Sequence, residues 1–188
     1  MDMLDDADHA AWTLLYNSGF CYYGCWVLQP GLGWTRSYRL DSCQEVIRAY
    51  HQVRDRLRCC LGRTKTSAGR QFLRFLDNRL ACTELHVQAL EQLVALHNVC
   101  DDQAPGKLTD DQRRQVHDRC QAAREFAEAY MKLHAEAIAD RGGEGTLISY
   151  YRTIPRYIEH VRNYFCGEQP PQDDRAKGAD EPPPPVRR

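Results

Sequence analysis

The chain lacks an excess of charge of either sign, because 25 lysines and arginines stand against 26 aspartates and glutamates. A dedicated nucleic-acid-binding protein usually carries a strongly basic surface, so we do not expect a nucleic acid as the partner. Strand-like residues occur only in the stretch 20–28, which argues against a β-protein. The first residues are acidic, whereas a secretory signal begins with a basic stretch, and we therefore expect a cytoplasmic protein.

Motifs that identify an enzyme or a metal site are also missing. The sequence contains no phosphate-binding glycine loop, no nucleophile signature and no H-E-x-x-H pattern. No histidine follows a glutamate by three residues, as in di-iron bundles, and Cys21 and Cys25 have no second pair at zinc spacing. We therefore expect no metal, no cofactor and a non-catalytic protein.

If the chain were an enzyme, its acid or base would be sought among the histidines of the predicted core faces. His97 and His134 are the two candidates, because a buried histidine can act as a base when it is paired. Carboxylates on the same predicted helices are Glu84, Glu128 and Glu159. A histidine on a bundle face more often serves packing, so we do not assign a catalytic residue.

Nine cysteines are spread along the chain without a recurring spacing. In a helical protein such scattered cysteines behave mostly as small buried apolar side chains. Together with the expected cytoplasmic location, this predicts reduced thiols.

Apolar residues at steps of three and four predict four long helices, with a shorter one before them from about Leu4 to Ser18. The first long helix is expected to begin at Asp41-Ser42, where Glu45 completes a capping-box pattern, and to end near Gly62. A polar link over residues 63–70 follows it.

The second long helix carries an apolar seam from Leu73 to His97, in the heptad steps of closely aligned helices. The third is expected to open at Thr109, because Gln112 stands in the capping-box position three residues later. The glycines of Arg141–Gly143 are expected to end it.

The fourth long helix contains Pro155, which predicts a kink or a restart capped by Thr153. Beyond Cys166 the composition becomes polar and proline-rich, so residues 167–188 are predicted to form a disordered tail. Four to five helices with short links predict an all-α, antiparallel bundle in a single domain, residues 1–166.

Charge is distributed unevenly along the predicted helices. Residues 36–80 carry eleven lysines and arginines against four acids, whereas residues 81–140 carry eleven acids against six bases. A basic segment followed by an acidic one is common in helices that pack against each other.

The segment 10–35 is uncharged and holds all three tryptophans and seven of the eighteen aromatic residues. Its length would suffice for a membrane span, but four glycines, three tyrosines and Asn17 dilute its hydropathy. A packed, turn-rich cap on the bundle is the favoured interpretation, and a membrane anchor is kept as an alternative.

Aromatic rings beside basic residues suit recognition of a partner or ligand. We therefore predict a non-catalytic interaction or accessory module that binds through the segment 10–39. A protein partner or self-association is expected first, and a carbohydrate second. The predicted binding residues are Trp12, Tyr22, Tyr23, Trp26, Trp34, Arg36 and Arg39.

The stretch AREFAEAYMKLHAEAIADRGGEGTLISYYRTIPRY, residues 123–157, resembles helical regions that follow the catalytic domains of bacterial multidomain glycoside hydrolases. The resemblance includes no catalytic motif, and no pair of carboxylates flanking a sugar cleft is identifiable. It implies an accessory helical module of a carbohydrate-active enzyme, as an alternative to the protein-binding module.

Overall fold

The computed structural model describes residues 2–16, 39–100, 103, 107–137 and 141–167. These residues form five helices and no strand, so the prediction of an all-α bundle is confirmed. The strand-like stretch 20–28 and the tail 168–188 lie outside the described residues. The helices are α1 (Asp2–Tyr16), α2 (Leu40–Arg63), α3 (Ser67–Cys100), α4 (Asp110–Ala137) and α5 (Arg141–Cys166).

Each helix packs mainly against the next one along the chain, and successive helices run antiparallel. Near the start of α2, Gln44 donates a hydrogen bond to Glu91 in the later half of α3 (3.1 Å). At the start of α4, Gln112 Nε2 donates to the carbonyl of Val99 at the end of α3 (2.9 Å). These links between opposite helix ends are what antiparallel neighbours with short connections produce.

The start of α2 differs from the prediction. The helix begins at Leu40, and Arg39 is its N-cap residue without a side-chain capping bond. The amide of Ser42 already donates to the Arg39 carbonyl (3.0 Å), so Ser42 lies inside the first turn and cannot cap the helix. The predicted Ser42–Glu45 capping box is therefore wrong.

The link between α2 and α3 is shorter than predicted, because α3 already begins at Ser67. Thr66 caps it, its hydroxyl oxygen accepting a hydrogen bond from the amide of Gly69 (3.2 Å). A Cβ atom at Gly69 would lie 2.8 Å from the side chains of both Thr64 and Thr66, so the tight turn needs a glycine there. Only Thr64–Thr66 separate the two helices.

The predicted start of α4 is confirmed. The amide of Gln112 donates to Thr109 Oγ1 (3.2 Å), and the amide of Thr109 donates to Gln112 Oε1 (3.0 Å). This reciprocal pair is a complete capping box, and it satisfies two amides that the first helical turn leaves without partners.

Arg141–Gly143 belong to the first turn of α5, so the prediction that they end the preceding helix is wrong. Pro155 lies inside one continuous helix, so the predicted restart is wrong as well, whereas the alternative of a kink stays a prediction. Thr153 does not cap a new helix, because its hydroxyl donates to the carbonyl of Ser149 (2.8 Å). Burial of Ile154 and Tyr157 on either side of the proline holds both halves against the bundle and offsets the lost backbone bond.

The core is centred on the C-terminal half of α3, which is buried on most sides because α2 and α4 both pack against it. Small residues of α4, Ala123 and Ala127, are fully buried, as the spacing of that helix predicts. The first half of α3 is different, since residues 67–79 contribute no buried side chain. That uneven coverage exposes part of the seam.

Candidate functional site

Two of the seven predicted binding residues fall in the part of the chain that the structure describes. Trp12 is 63% exposed on α1, although its neighbours Ala11 and Leu14 are buried. Arg39 is exposed and its guanidinium lies 3.1 Å from the carboxylate of Asp41. The other five lie outside the described residues: Tyr22, Tyr23, Trp26, Trp34 and Arg36.

Among the residues that the structure describes, no helix is long and apolar enough to cross a membrane. The same residues contain no group of three histidines, cysteines, aspartates or glutamates that could hold a metal ion. Most of the segment 10–35 lies outside the described residues, so its alternatives stay predictions.

The carboxylates considered for catalysis lie beside arginines. Glu84 is buried and accepts a hydrogen bond from Arg54, across the contact between α2 and α3. Glu128 lies 2.8 Å from the guanidinium of Arg124. The histidine next to Glu84 is not the predicted candidate His97 but the exposed His51, whose Nδ1 lies 3.5 Å from the Glu84 carboxylate. Sequence reasoning did not consider His51. This arrangement suits charge neutralisation better than proton transfer.

His134 belongs instead to an aromatic cluster between α3, α4 and α5. Its ring stacks on Tyr130 with the centroids 5.4 Å apart, and Tyr130 stacks on Tyr150 at 4.0 Å. His86, which sequence reasoning missed as a core residue, is buried with Nδ1 3.2 Å from the hydroxyl of Tyr150. Its spacing from Leu90 and Leu93 would have placed it on the buried face. The cluster is a packed and hydrogen-bonded part of the core.

An open groove of about 530 Å³ lies between α1, α2 and α3, and its walls are mainly apolar. A volume of this size is within the range of ligand-binding clefts, roughly 300–1,000 Å³. Its lining residues are Met3, Leu4, Asp8, Val53, Arg56, Leu57, Cys60, Phe75, Leu76, Arg79, Leu80 and Thr83.

The groove exists because no helix of the described residues lies over the apolar side chains in the first half of α3. Phe72 is 60% exposed and Phe75 is 48% exposed, and Leu76 is only half-buried. Further along the same helix, Leu90 and Leu93 are fully buried under neighbouring helices. The seam that the sequence predicts is therefore complete in its second half and open in its first.

Two arginines at the groove have no acidic partner among the described residues. Arg56 from α2 and Arg79 from α3 are exposed, and neither forms an ion pair within the described part of the chain. By contrast, Arg54 and Arg58 both contact the carboxylate of Asp77, at 2.8 and 3.6 Å. The guanidinium groups at the groove are available to an anionic partner.

No disulfide joins the cysteines of the described residues, of which four are buried, two are exposed and Cys166 is half-buried. Cys59 and Cys60 are exposed, so the expectation of burial is wrong for them, and Cys60 lines the groove. Burial raises the pKa of the thiols of Cys43 and Cys120 to about 12, and that of Cys82 and Cys100 to about 11.

No protein-family model, curated protein or solved structure matches this chain. The resemblance of residues 123–157 to hydrolase-associated helical regions thus stays a prediction.

Proposed function

We propose that this chain is a non-catalytic helical interaction module, which binds a protein partner through the groove between α1, α2 and α3. The observation that carries the proposal is the open half of the α3 seam, where Phe72 and Phe75 stand exposed beside a mainly apolar groove. Contiguous exposed apolar surface is uncommon on proteins that function alone and marks sites of association.

The composition of this surface is that of an interface. Aromatic residues and arginine are enriched where proteins bind one another, and they supply most of the binding energy at hot spots. Phe75, Arg56 and Arg79 border the same groove. Trp12 is also exposed on α1, and it belongs to the predicted binding segment 10–39.

Site-specific photo-crosslinking tests the proposal. A benzoylphenylalanine replaces Phe75 in the groove in one variant and the exposed Ile148 of α5 in the matched control. Both are expressed in the native cell and irradiated, and the adducts are identified by mass spectrometry. We expect a discrete adduct from position 75 that position 148 does not give.

Equal adduct patterns at the two positions, or none from the groove, would overturn the proposal. Stability serves as the internal control, because both side chains are exposed and their replacement should change the unfolding free energy by less than about 0.5 kcal/mol. A glycan array separates the carbohydrate alternative: saturable binding of a sugar, with no protein adduct, would replace the protein-binding function.

A further inference from the structure

We infer that the groove receives an acidic amphipathic helix of a protein partner, and this inference rests on the proposed function. The helix would complete the open half of the α3 seam with its apolar side chains. Its flanking carboxylates would pair with Arg56 and Arg79.

The spacing of the residues on this face of α3 is that of a helix–helix contact. Steps of three, one, three, one and three residues separate the members of this face, which are Phe72, Phe75, Leu76, Arg79, Leu80 and Thr83. This is a continuous stripe along one helix face, and the same seam is covered by neighbouring helices further along α3. An amphipathic helix that inserts residues at i, i+3, i+4 and i+7 matches such a stripe.

The dimensions agree with a helix of a few turns. The stripe from Phe72 to Thr83 covers about 16 Å at 1.5 Å per residue, which is roughly three helical turns. On the opposite wall, Val53 to Cys60 of α2 cover about 10 Å, or roughly two turns. Two to three apolar side chains of one partner helix would lie over these walls.

The charges favour an acidic partner. Among the charged residues that line the groove, Arg56 and Arg79 have no acidic partner in the described chain, whereas the carboxylate of Asp8 already accepts a hydrogen bond from Tyr50. Unlike charges across an interface steer association and fix orientation. The protein's own α1 is already an acidic helix packed on α2. It buries Ala7 and Ala11, and its Asp8 accepts a hydrogen bond from Tyr50 of α2.

Synthetic helical peptides of 18 residues test the inference on the full-length chain. The probe has leucines at i, i+3, i+4 and i+7 repeats with glutamates on the flanks. One control peptide carries lysine for each glutamate, and the other carries the same residues with the leucine spacing scrambled. By fluorescence anisotropy, the acidic probe should bind at least about tenfold more tightly than either control.

Charge reversal at the groove gives the sharper comparison. Arg56→Glu combined with Arg79→Glu should weaken the acidic peptide by roughly tenfold or more and favour the lysine peptide instead. The matched control is Arg48→Glu, an exposed arginine of α2 that does not line the groove, and it should leave both affinities unchanged. Such a swap of preference is not produced by unfolding, which would abolish binding of both peptides.

The adjacent thiols of α2 locate the bound peptide. Cys60 lines the groove, whereas its neighbour Cys59 is exposed but does not. Saturating acidic peptide should slow alkylation of Cys60 at least about fivefold and leave Cys59 unchanged, as followed by peptide mass mapping.

The inference is overturned by equal binding of the three peptides, by an unchanged preference in the double variant, or by equal protection of the two thiols. The inference is also overturned if the chain forms a dimer and the substitution Phe75→Ser dissociates it, because the groove would then bind a second copy of the chain. Binding to anionic vesicles but not to the peptides would assign it to a membrane surface. In each case an adduct from position 75 to another protein would leave the proposed function standing, and its absence would remove that function separately.

Discussion

Removing Arg54 should strongly destabilise the protein, because this residue neutralises two carboxylates between α2 and α3. Its Nε donates to Asp77 (2.8 Å) and its Nη1 donates to Glu84. Only 15% of the Arg54 side chain and 7% of the Glu84 side chain are exposed to solvent. Burial lowers the pKa of Arg54, but the hydrogen bonds to Asp77 and Glu84 outweigh that effect and raise it.

The magnitude follows from what each substitution leaves behind. Arg54→Met leaves the buried carboxylate of Glu84 with only the exposed His51 nearby (3.5 Å), and we expect a loss of about 3 kcal/mol. Asp77 keeps Arg58 as a partner (3.6 Å), so it adds little to that loss. Glu84→Gln keeps a hydrogen-bond acceptor for Arg54, and we expect a smaller loss of about 1–2 kcal/mol.

Replacing both charges should restore stability, because two apolar side chains of similar size need no partner. Arg54→Met combined with Glu84→Met is therefore expected to be more stable than Arg54→Met alone by at least about 1 kcal/mol. Unfolding in urea, followed by circular dichroism at the helical band, measures the four members of this cycle, which are the wild type, Arg54→Met, Glu84→Met and the double variant. A double variant that is no more stable than Arg54→Met would refute the role given to the uncompensated Glu84 carboxylate.

The exposed pair between Arg124 and Glu128 on α4 is the matched control for that cycle. Its guanidinium and carboxylate are as close as those of Arg54 and Asp77, at 2.8 Å, but both side chains are about half exposed to solvent. Arg124→Met should change the free energy of unfolding by less than about 0.5 kcal/mol, because exposed ion pairs contribute little. A loss comparable to that of Arg54→Met would show that burial does not set the difference.

Three further outcomes are expected. At pH 8, iodoacetamide should modify Cys59 much faster than Cys43, because Cys43 is buried and its raised pKa of about 12 leaves almost no thiolate. Similar modification rates of the two cysteines in peptide mapping would contradict the burial of Cys43. Thr109→Ala should cost about 1 kcal/mol in urea unfolding through loss of the α4 capping box, and a neutral result would show that the box contributes nothing. Tyr150→Phe should cost about 1–2 kcal/mol, because His86 loses the hydroxyl 3.2 Å from its Nδ1; a gain in stability would show that this contact is unfavourable.

The sequence predicted the helices well, and it did so for a physical reason. Apolar spacing records which residues a helix must bury, and the seam residues Val87, Leu90 and Val94 of α3 are buried as the periodicity requires. The capping-box pattern predicted the start of α4 correctly, because the hydroxyl of Thr109 accepts the hydrogen bond that caps the helix. The same pattern was wrong at Ser42, because α2 begins two residues earlier and Ser42 lies inside its first turn.

Proline and glycine were misleading where tertiary packing overrides local preference. Pro155 cannot donate a backbone hydrogen bond, yet the burial of Ile154 and Tyr157 keeps α5 continuous through it. The glycines after Arg141 lie in the first turn of α5, although they were expected to form the turn that ends the preceding helix. Neither result is visible in the local sequence, since both depend on what α5 packs against.

The groove was not predicted, because periodicity shows an apolar face but not whether anything covers it. Leu76 and Leu90 occupy equivalent positions in the predicted seam, yet Leu76 is half-buried and Leu90 is completely buried. The difference arises from where α2 and α4 cover α3, which is a property of the assembled bundle. The predicted aromatic segment, by contrast, lies mostly outside the described residues, so its role in binding stays a prediction.

Helix geometry separates the structural from the candidate binding arginines of α2. Arg54 and Arg58 are four residues apart and share the face that meets Asp77. Arg56 lies between them in sequence, so it is rotated about 200° from each and points to the groove. Part of the basic charge of residues 36–80 is therefore neutralised inside the bundle, and another part stands beside the open seam. Because these arginines occupy different helix faces, charge reversal at Arg56 should alter partner recognition without weakening the contact between α2 and α3.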